Sequence, residues 1–232
     1  MRLTVAGVGP GDPDLVTKAA IKAAERADLI LEPVTREGKA SVAGEALKAN
    51  LSADKNFTPF IFPMIKDNIK RDAIILEQLN NLKSLWENAN NILLPVIGDS
   101  ALYATGAYLY DVWQNNFKDI NLELELIPGI SAHSLAASCA KKFLAMGEDI
   151  LCVIPGTANI KRIEQALKYA EAAAVYKPSA LRDSLKEMVM QTGTWREIVR
   201  VDRAGLPDQK IYYGEDALKS PDEYLSLLLL HR

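Results

Sequence analysis

This 232-residue chain has few residues suited to redox or metal chemistry: two cysteines, Cys139 and Cys152, and two histidines, His133 and His231. Neither cysteine belongs to a CxxC pair, and four scattered residues of this kind do not make a zinc or iron–sulfur site. No metal site is expected, and the cysteines read as reduced, buried, small apolar residues of a cytosolic protein. An excess of positive charge is also missing. Lys and Arg number 27 against 30 Asp and Glu, a net charge of −3. That balance argues against a nucleic-acid binder, which needs a basic face. No apolar run approaches the roughly 20 residues of a membrane span. The opening Met1-Arg2-Leu3-Thr4-Val5 runs straight into a strand-like segment with no signal-peptide character. A Walker lysine motif, internal repeats and low-complexity stretches are absent as well.

What is present is an ordinary globular composition, 49% hydrophobic and 25% charged, enough for a sizeable core without disulfide or metal staples. Short apolar runs ended by glycine or proline alternate with helical periodicity. Strands are expected at 3–9, 28–32, 57–62 and 91–97, with helices after 13 and at 40–50, 67–89 and 101–114. On the long helix, Ile69, Ala73, Leu76, Leu79 and Trp86 would face inward. Asp12 before Pro13 reads as a helix cap with proline in the first turn. This alternation predicts a parallel sheet covered on both faces.

The polar stretch Gln114 to Asp119 reads as a linker, giving an N-terminal α/β domain at 1–118 and a C-terminal α/β domain at 119–232. The second half offers strands at 122–127, 150–154 and 173–176 and helices at 131–141, 159–171 and 179–191. It closes with three strand-like runs, 197–203, 210–213 and 224–230, suited to antiparallel hairpins.

Gly7-Val8-Gly9 invites a dinucleotide reading, which fails in detail. The GxGxxG pattern needs a third glycine where Asp12 stands, and Pro10 removes a backbone donor. Even so, three turns sit at carboxyl ends of expected strands: Gly9-Pro10-Gly11, Gly98-Asp99-Ser100 and Pro128-Gly129-Ile130-Ser131. Each alone is explained as a tight strand-to-helix turn. Together they are better explained by a ligand held through backbone groups, because ligands of open α/β sheets collect at that edge.

Val8-Gly9-Pro10-Gly11-Asp12-Pro13, Gly98-Asp99-Ser100 and Ile127-Pro128-Gly129-Ile130-Ser131-Ala132 resemble, in this order, the signatures of the tetrapyrrole methylases. The likeness runs from residue 3 to about 230. Further segments resemble the branch that methylates carbon 20 of precorrin-2 in cobalamin synthesis. They are Phe62-Pro63-Met64, Leu102-Tyr103-Ala104-Thr105, Ile154-Pro155-Gly156-Thr157, Tyr176-Lys177, Arg203-Ala204-Gly205-Leu206-Pro207 and Tyr224-Leu225-Ser226. Two departures stand out. Ser100 replaces the family's usual proline, and Glu32-Pro33 stands where the uroporphyrinogen-methylating branch carries a tyrosine–aspartate pair.

The resemblance implies a two-domain α/β tetrapyrrole methylase fold with S-adenosylmethionine in the cleft between domains, leaving as S-adenosylhomocysteine. It also implies a tetrapyrrole substrate, a homodimer and a cytoplasmic enzyme, with neither nucleic acid nor membrane as partner. Cofactor contacts carry over to Pro10, Gly98, Asp99, Leu102, Ser131, Ala132, Lys177 and Ala204. Arg36, Arg71, Arg203 and Lys66, with Lys39, are candidates for meeting substrate carboxylates. Tyr103, Asp99 or a water are candidate bases, with none preferred. His133 reads as structural rather than as a cobalt ligand. The alternatives are another corrin-ring methyltransferase, an rRNA ribose methylase, which the acidic balance disfavours, or a non-catalytic S-adenosylmethionine sensor.

Overall fold

The computed structural model describes residues 1–51, 55–65, 67–220, 223 and 225–232. The chain forms two units, Met1–Ser131 and Ala132–Arg232.

The first unit is a sheet of five strands, β1 (Arg2–Gly7), β2 (Leu29–Val34), β3 (Phe57–Ile61), β4 (Asn91–Val96) and β5 (Glu123–Ile127), in the order β3-β2-β4-β1-β5. Every pairing is parallel, so all five carboxyl ends lie along one edge. β1 and β4 are central, which is why they read as nearly unbroken apolar runs. Pro95 is tolerated in β4 because β2 pairs with β4 only at Leu29–Ile92 and Ile30–Leu93, leaving the side facing β2 without a ladder at Pro95.

One face packs Leu3, Val5 and Leu94 against α3 (Asn68–Asn81), α4 (Lys83–Trp86) and α5 (Gly106–Asn116) through Ile75, Leu79, Trp86, Leu109 and Trp113. The other packs Ala6, Ile30 and Leu93 against α1 (Lys18–Arg26) and α2 (Val42–Lys48), whose alanines allow close approach.

The second unit holds α6 (Ala132–Ala140), β6 (Leu151–Pro155), α7 (Ile160–Lys168), β7 (Ala172–Tyr176), α8 (Ser184–Gln191), β8 (Glu197–Asp202), β9 (Lys210–Tyr213) and β10 (Ser226–His231). Its sheet runs β6-β7-β10-β8-β9. β6 and β7 are parallel, β10 is antiparallel to β7 and β8, and β8–β9 is an antiparallel pair. β8 therefore points the same way as β6 and β7. One face packs on α7 and α8, the other on α6.

Several expectations need correcting. The boundary expected near residue 118 falls inside the first unit, because 123–127 pairs along β1 instead of opening the second sheet. The helix expected over 67–89 breaks at Leu82, whose φ of −95° and ψ of 10° leave the helical region. Its first turn does not face the core: Ile69 is 83% exposed and Ala73 is also exposed. The helix expected from 101 starts at Gly106, and that expected over 179–191 divides into a 3-10 turn at Pro178–Leu181 and α8. Asp12 caps only the 3-10 turn Pro13–Leu15. The cap of α1 is Thr17, whose hydroxyl accepts the Ala20 N–H. Both cysteines are half-buried rather than fully buried.

Candidate functional site

In the first unit the chain leaves β1 for α1 on one face of the sheet and leaves β4 for α5 on the other. Adjacent parallel strands whose connections part in this way leave a crevice at their carboxyl ends. The glycine turns occupy that place. Gly9 and Gly98 exchange two backbone hydrogen bonds, of 3.2 and 2.8 Å, beyond the ends of their strands. Both have left-handed φ, 71° and 77°, a conformation open to glycine at little cost. Pro10 is buried beside them.

The third turn closes on the same point. A Cβ on Gly129 would lie 2.3 Å from Gly98 O and 2.6 Å from Gly7 C, so only glycine lets these backbones meet. Asp99 ties the turns together: its Oδ2 accepts the Gly129 N–H at 3.0 Å and its Oδ1 accepts the Ala101 N–H at 2.9 Å. With both oxygens held by backbone donors, Asp99 serves as a loop tie, and its case as a catalytic base weakens. Leu102 and Tyr103 follow in the loop before α5. Tyr103 is 47% exposed with φ of 54°, and burial pushes its phenol above the usual range, which suits a proton donor better than an acceptor.

In the second unit the carboxyl ends of β6, β7 and β8 share one edge. The turn at Gly156 is sewn to β7 by its N–H bond to Tyr176 O at 2.7 Å, and a Cβ there would meet Lys177 O at 2.6 Å. Lys177 and Arg203 both hold left-handed φ, 53° and 52°. Such backbone costs about 1–3 kcal/mol per residue and persists where the surroundings fix it. Ala132, Tyr176 and Ala204 pack against one apolar cluster, and Lys177 follows Tyr176 in the chain.

Beneath this edge lies a buried ion pair that the sequence reading missed. Arg200 Nε lies 3.1 Å from Asp202 Oδ1, its guanidinium stacks 4.2 Å from the Tyr212 ring, and it donates to Ala217 O and Lys219 O. Ser226 donates to the same Asp202 oxygen. The alternation of charge along a strand was its only sequence signal.

The basic candidates part company. Arg36 and Lys39 lie in an exposed turn after β2. Arg71 is engaged locally by Asp72 at 2.7 Å, Asn68 at 2.9 Å and the Tyr108 ring at 3.7 Å. Arg203 Nε lies 2.6 Å from Asp208 Oδ2 in an ion pair, and Nη1 lies 3.8 Å from Glu223. A substrate carboxylate would compete with both. Lys66 and Tyr224 lie outside the described residues. Glu32 is nearly buried and paired with Lys48 at 2.8 Å, so it is engaged within its own unit. Among the described residues no cluster of three or more metal-ligating side chains occurs.

A parallel sheet in the first unit and a mixed one in the second each present glycine-containing turns at carboxyl ends of strands, the place where α/β proteins bind small ligands. Residues 2–217 match the family model of the Tetrapyrrole (Corrin/Porphyrin) Methylases, and the chain belongs to that family. Its similarities within the family are specific. It is 30% identical to the "Probable cobalt-precorrin-2 C(20)-methyltransferase" of Methanocaldococcus jannaschii, over 97% of this chain and 94% of that protein. It is 25% identical to the cobalt-precorrin-2 C(20)-methyltransferase of Salmonella typhimurium, over 100% of this chain and 96% of that one. Among solved structures, the methyltransferase CobJ matches with a TM-score of 0.69 at 21% identity, covering 99% of this chain and 93% of that one. The uroporphyrin-III C-methyltransferase of Thermus thermophilus, complexed with S-adenosylhomocysteine, matches with a TM-score of 0.69 at 18% identity, covering 100% and 98%.

Proposed function

We propose that this protein transfers a methyl group from S-adenosylmethionine to carbon 20 of precorrin-2, or of its cobalt complex, in cobalamin biosynthesis. The observation that carries this reading is the 25–30% identity, over nearly the whole chain, to three proteins named for that reaction. The crevice supports it. Within the first unit, backbone at Pro10 and Gly98 with Leu102 and Ser131, and, separately within the second, Lys177 with small side chains at Ala132 and Ala204, offer the donors, acceptors and lack of bulk that an adenosine and a methionine zwitterion need. Asp99 keeps the loops in register.

The sulfonium supplies a strongly electrophilic methyl group, and the reduced tetrapyrrole offers an electron-rich meso carbon. The protein's work is to hold these in line and exclude water. Positioning of this kind is worth up to about 7–11 kcal/mol. Arg36 meets a substrate carboxylate from its exposed turn, with Lys66 as a further candidate. Arg203 contributes if a substrate carboxylate displaces Asp208, whereas Arg71 acts structurally. The enzyme works in the cytoplasm as a homodimer, a reading supported by the family resemblance.

Calorimetry tests the ligand class. S-adenosylhomocysteine should bind tightly, with NAD and ATP at least 100-fold weaker. Comparable NAD affinity would overturn the reading of the first glycine turn.

A further inference from the structure

Arg200 and Asp202 stand two residues apart on β8, so both project from the same face of the sheet. They and Ser226 are buried, with 4%, 6% and 7% of their surface exposed. Ser226 opens β10 and is the register partner of Asp202, the last residue of β8. Asp202 Oδ1 accepts from Arg200 Nε and from the Ser226 hydroxyl, and Arg200 also donates to the carbonyls of Ala217 and Lys219. A buried ion pair of this kind adds little net stability, because the cost of desolvating both charges offsets their attraction. What it fixes is position. The next residue is Arg203, whose N–H bonds Leu225 O at 2.7 Å and whose left-handed φ of 52° has no glycine to ease it. From there the 203–209 loop closes on itself. Leu206 N–H bonds Arg203 O at 3.0 Å, and Gly205 N–H bonds Gln209 Oε1 at 2.8 Å. Ala204 stands between the strained residue and that closure, packed against the cluster that includes Val199, Val201 and Leu227.

We propose that Arg200, Asp202 and Ser226 are positioning residues for the cofactor: by anchoring the end of β8 they hold Arg203 in its left-handed backbone and so present Ala204 to S-adenosylmethionine. This rests on the reading of Ala204 as a cofactor contact given above. Asp202 is the pivot. With two donors on one oxygen, its carboxylate stays in the interior and its backbone stays in the ladder beside Ser226, up to the residue where the chain turns. Loss of the Ser226 hydroxyl leaves that oxygen with Arg200 alone. The carboxylate then shifts, Arg203 relaxes to a negative φ, and Ala204 swings out of place. Backbone strain persists only where its surroundings hold it, and it collects at ligand clamps. That gives a reason for charge in an interior where apolar side chains would fold as well.

The test measures S-adenosylhomocysteine affinity by calorimetry, well below the Tm of each protein, for wild type, Ser226→Ala, Ser226→Thr, Arg203→Gly and the double variant Ser226→Ala/Arg203→Gly. Ser226→Ala should weaken binding about tenfold, and Ser226→Thr, which keeps the hydroxyl, should stay within about threefold of wild type. The double variant should bind more tightly than Ser226→Ala, because glycine takes the left-handed backbone without strain and needs no anchor. Asp202→Asn, which keeps the size and removes the charge, should behave as Ser226→Ala does and be relieved by Arg203→Gly in the same way. A cluster that is only structural would lower Tm without this relief. Wild-type affinity in both Ser226→Ala and Asp202→Asn, or double variants that bind no more tightly than the single ones, overturns the proposal while leaving the cofactor reading intact. If wild type itself does not bind S-adenosylhomocysteine, the cofactor reading fails, and this proposal with it.

Discussion

Gly129→Ala adds one methyl group at the point where three turns meet. The new Cβ would sit 2.3 Å from Gly98 O, 2.6 Å from Gly7 C and 2.7 Å from Gly7 O, all backbone atoms. Neither neighbour yields easily, because β1 and β4 are locked through six register pairs from Arg2–Asn91 to Gly7–Val96. The third turn must therefore lift away, breaking the 3.0 Å bond from Gly129 N–H to Asp99. Overpacking costs about 1–3 kcal/mol, and a hydrogen bond to a charged group about 1.5–3 kcal/mol. The two overlap, since relieving the first causes the second, so a net loss of about 3 kcal/mol is expected. For a chain of 232 residues that lowers Tm by roughly 6–12 °C. S-adenosylhomocysteine affinity should fall at least tenfold, because the crevice edge moves. Gly38→Ala is the control: its φ is 71° but nothing lies within 4 Å. It should cost only the left-handed backbone term of about 1–2 kcal/mol and leave binding untouched. Thermal melts and calorimetry on both variants decide the matter. A Gly129→Ala protein with wild-type Tm and affinity would refute the packing argument.

Other outcomes follow from the same reasoning. Thr17→Ala should cost about 1 kcal/mol in urea unfolding, because Thr17 caps α1, whereas Asp12→Ala, which frees only the Asp14 N–H of a single exposed turn, should cost less. Trp86→Ala should cost about 3–5 kcal/mol: the ring is fully buried, bonds Leu79 O at 2.7 Å and meets Trp113 and Phe117 edge-on at 5.2 Å. The Asp208 carboxyl is held below its usual range, chiefly by its contact with Arg203. Its stabilisation is therefore complete above the unfolded value of about 3.9 and lost as pH falls through the lower folded value. The Tm difference between wild type and Asp208→Asn should be level from about pH 7 to 5 and close only below about pH 4.

Local chemistry made the glycine turns legible. Gly9, Gly98 and Gly129 follow apolar runs, and a turn with left-handed φ or close backbone contact leaves few other residues possible. The parallel first sheet was legible for a similar reason: strands buried on both faces must read as Leu-, Ile- and Val-rich runs. The misreadings share a different cause, partners distant in sequence. LELELI at 122–127 looks like the start of a new sheet, and only its pairing with β1, about 120 residues earlier, makes it the edge of the old one. The break at Leu82 carries no proline or glycine. Ile69 keeps the helical period yet lies in a first turn that overhangs the core. His133 looked solitary because Tyr176 is 43 residues away.

The central claim is tested most directly by the position of the new carbon. The protein is incubated with precorrin-2, and separately with its cobalt complex, together with S-adenosylmethionine labelled with carbon-13 in the methyl group, and the product is read by mass spectrometry and NMR. The account predicts one labelled methyl per macrocycle, bonded to the meso carbon 20, with loss of that carbon's proton signal. Label at any other ring carbon, or S-adenosylmethionine bound without turnover of either substrate, would contradict it.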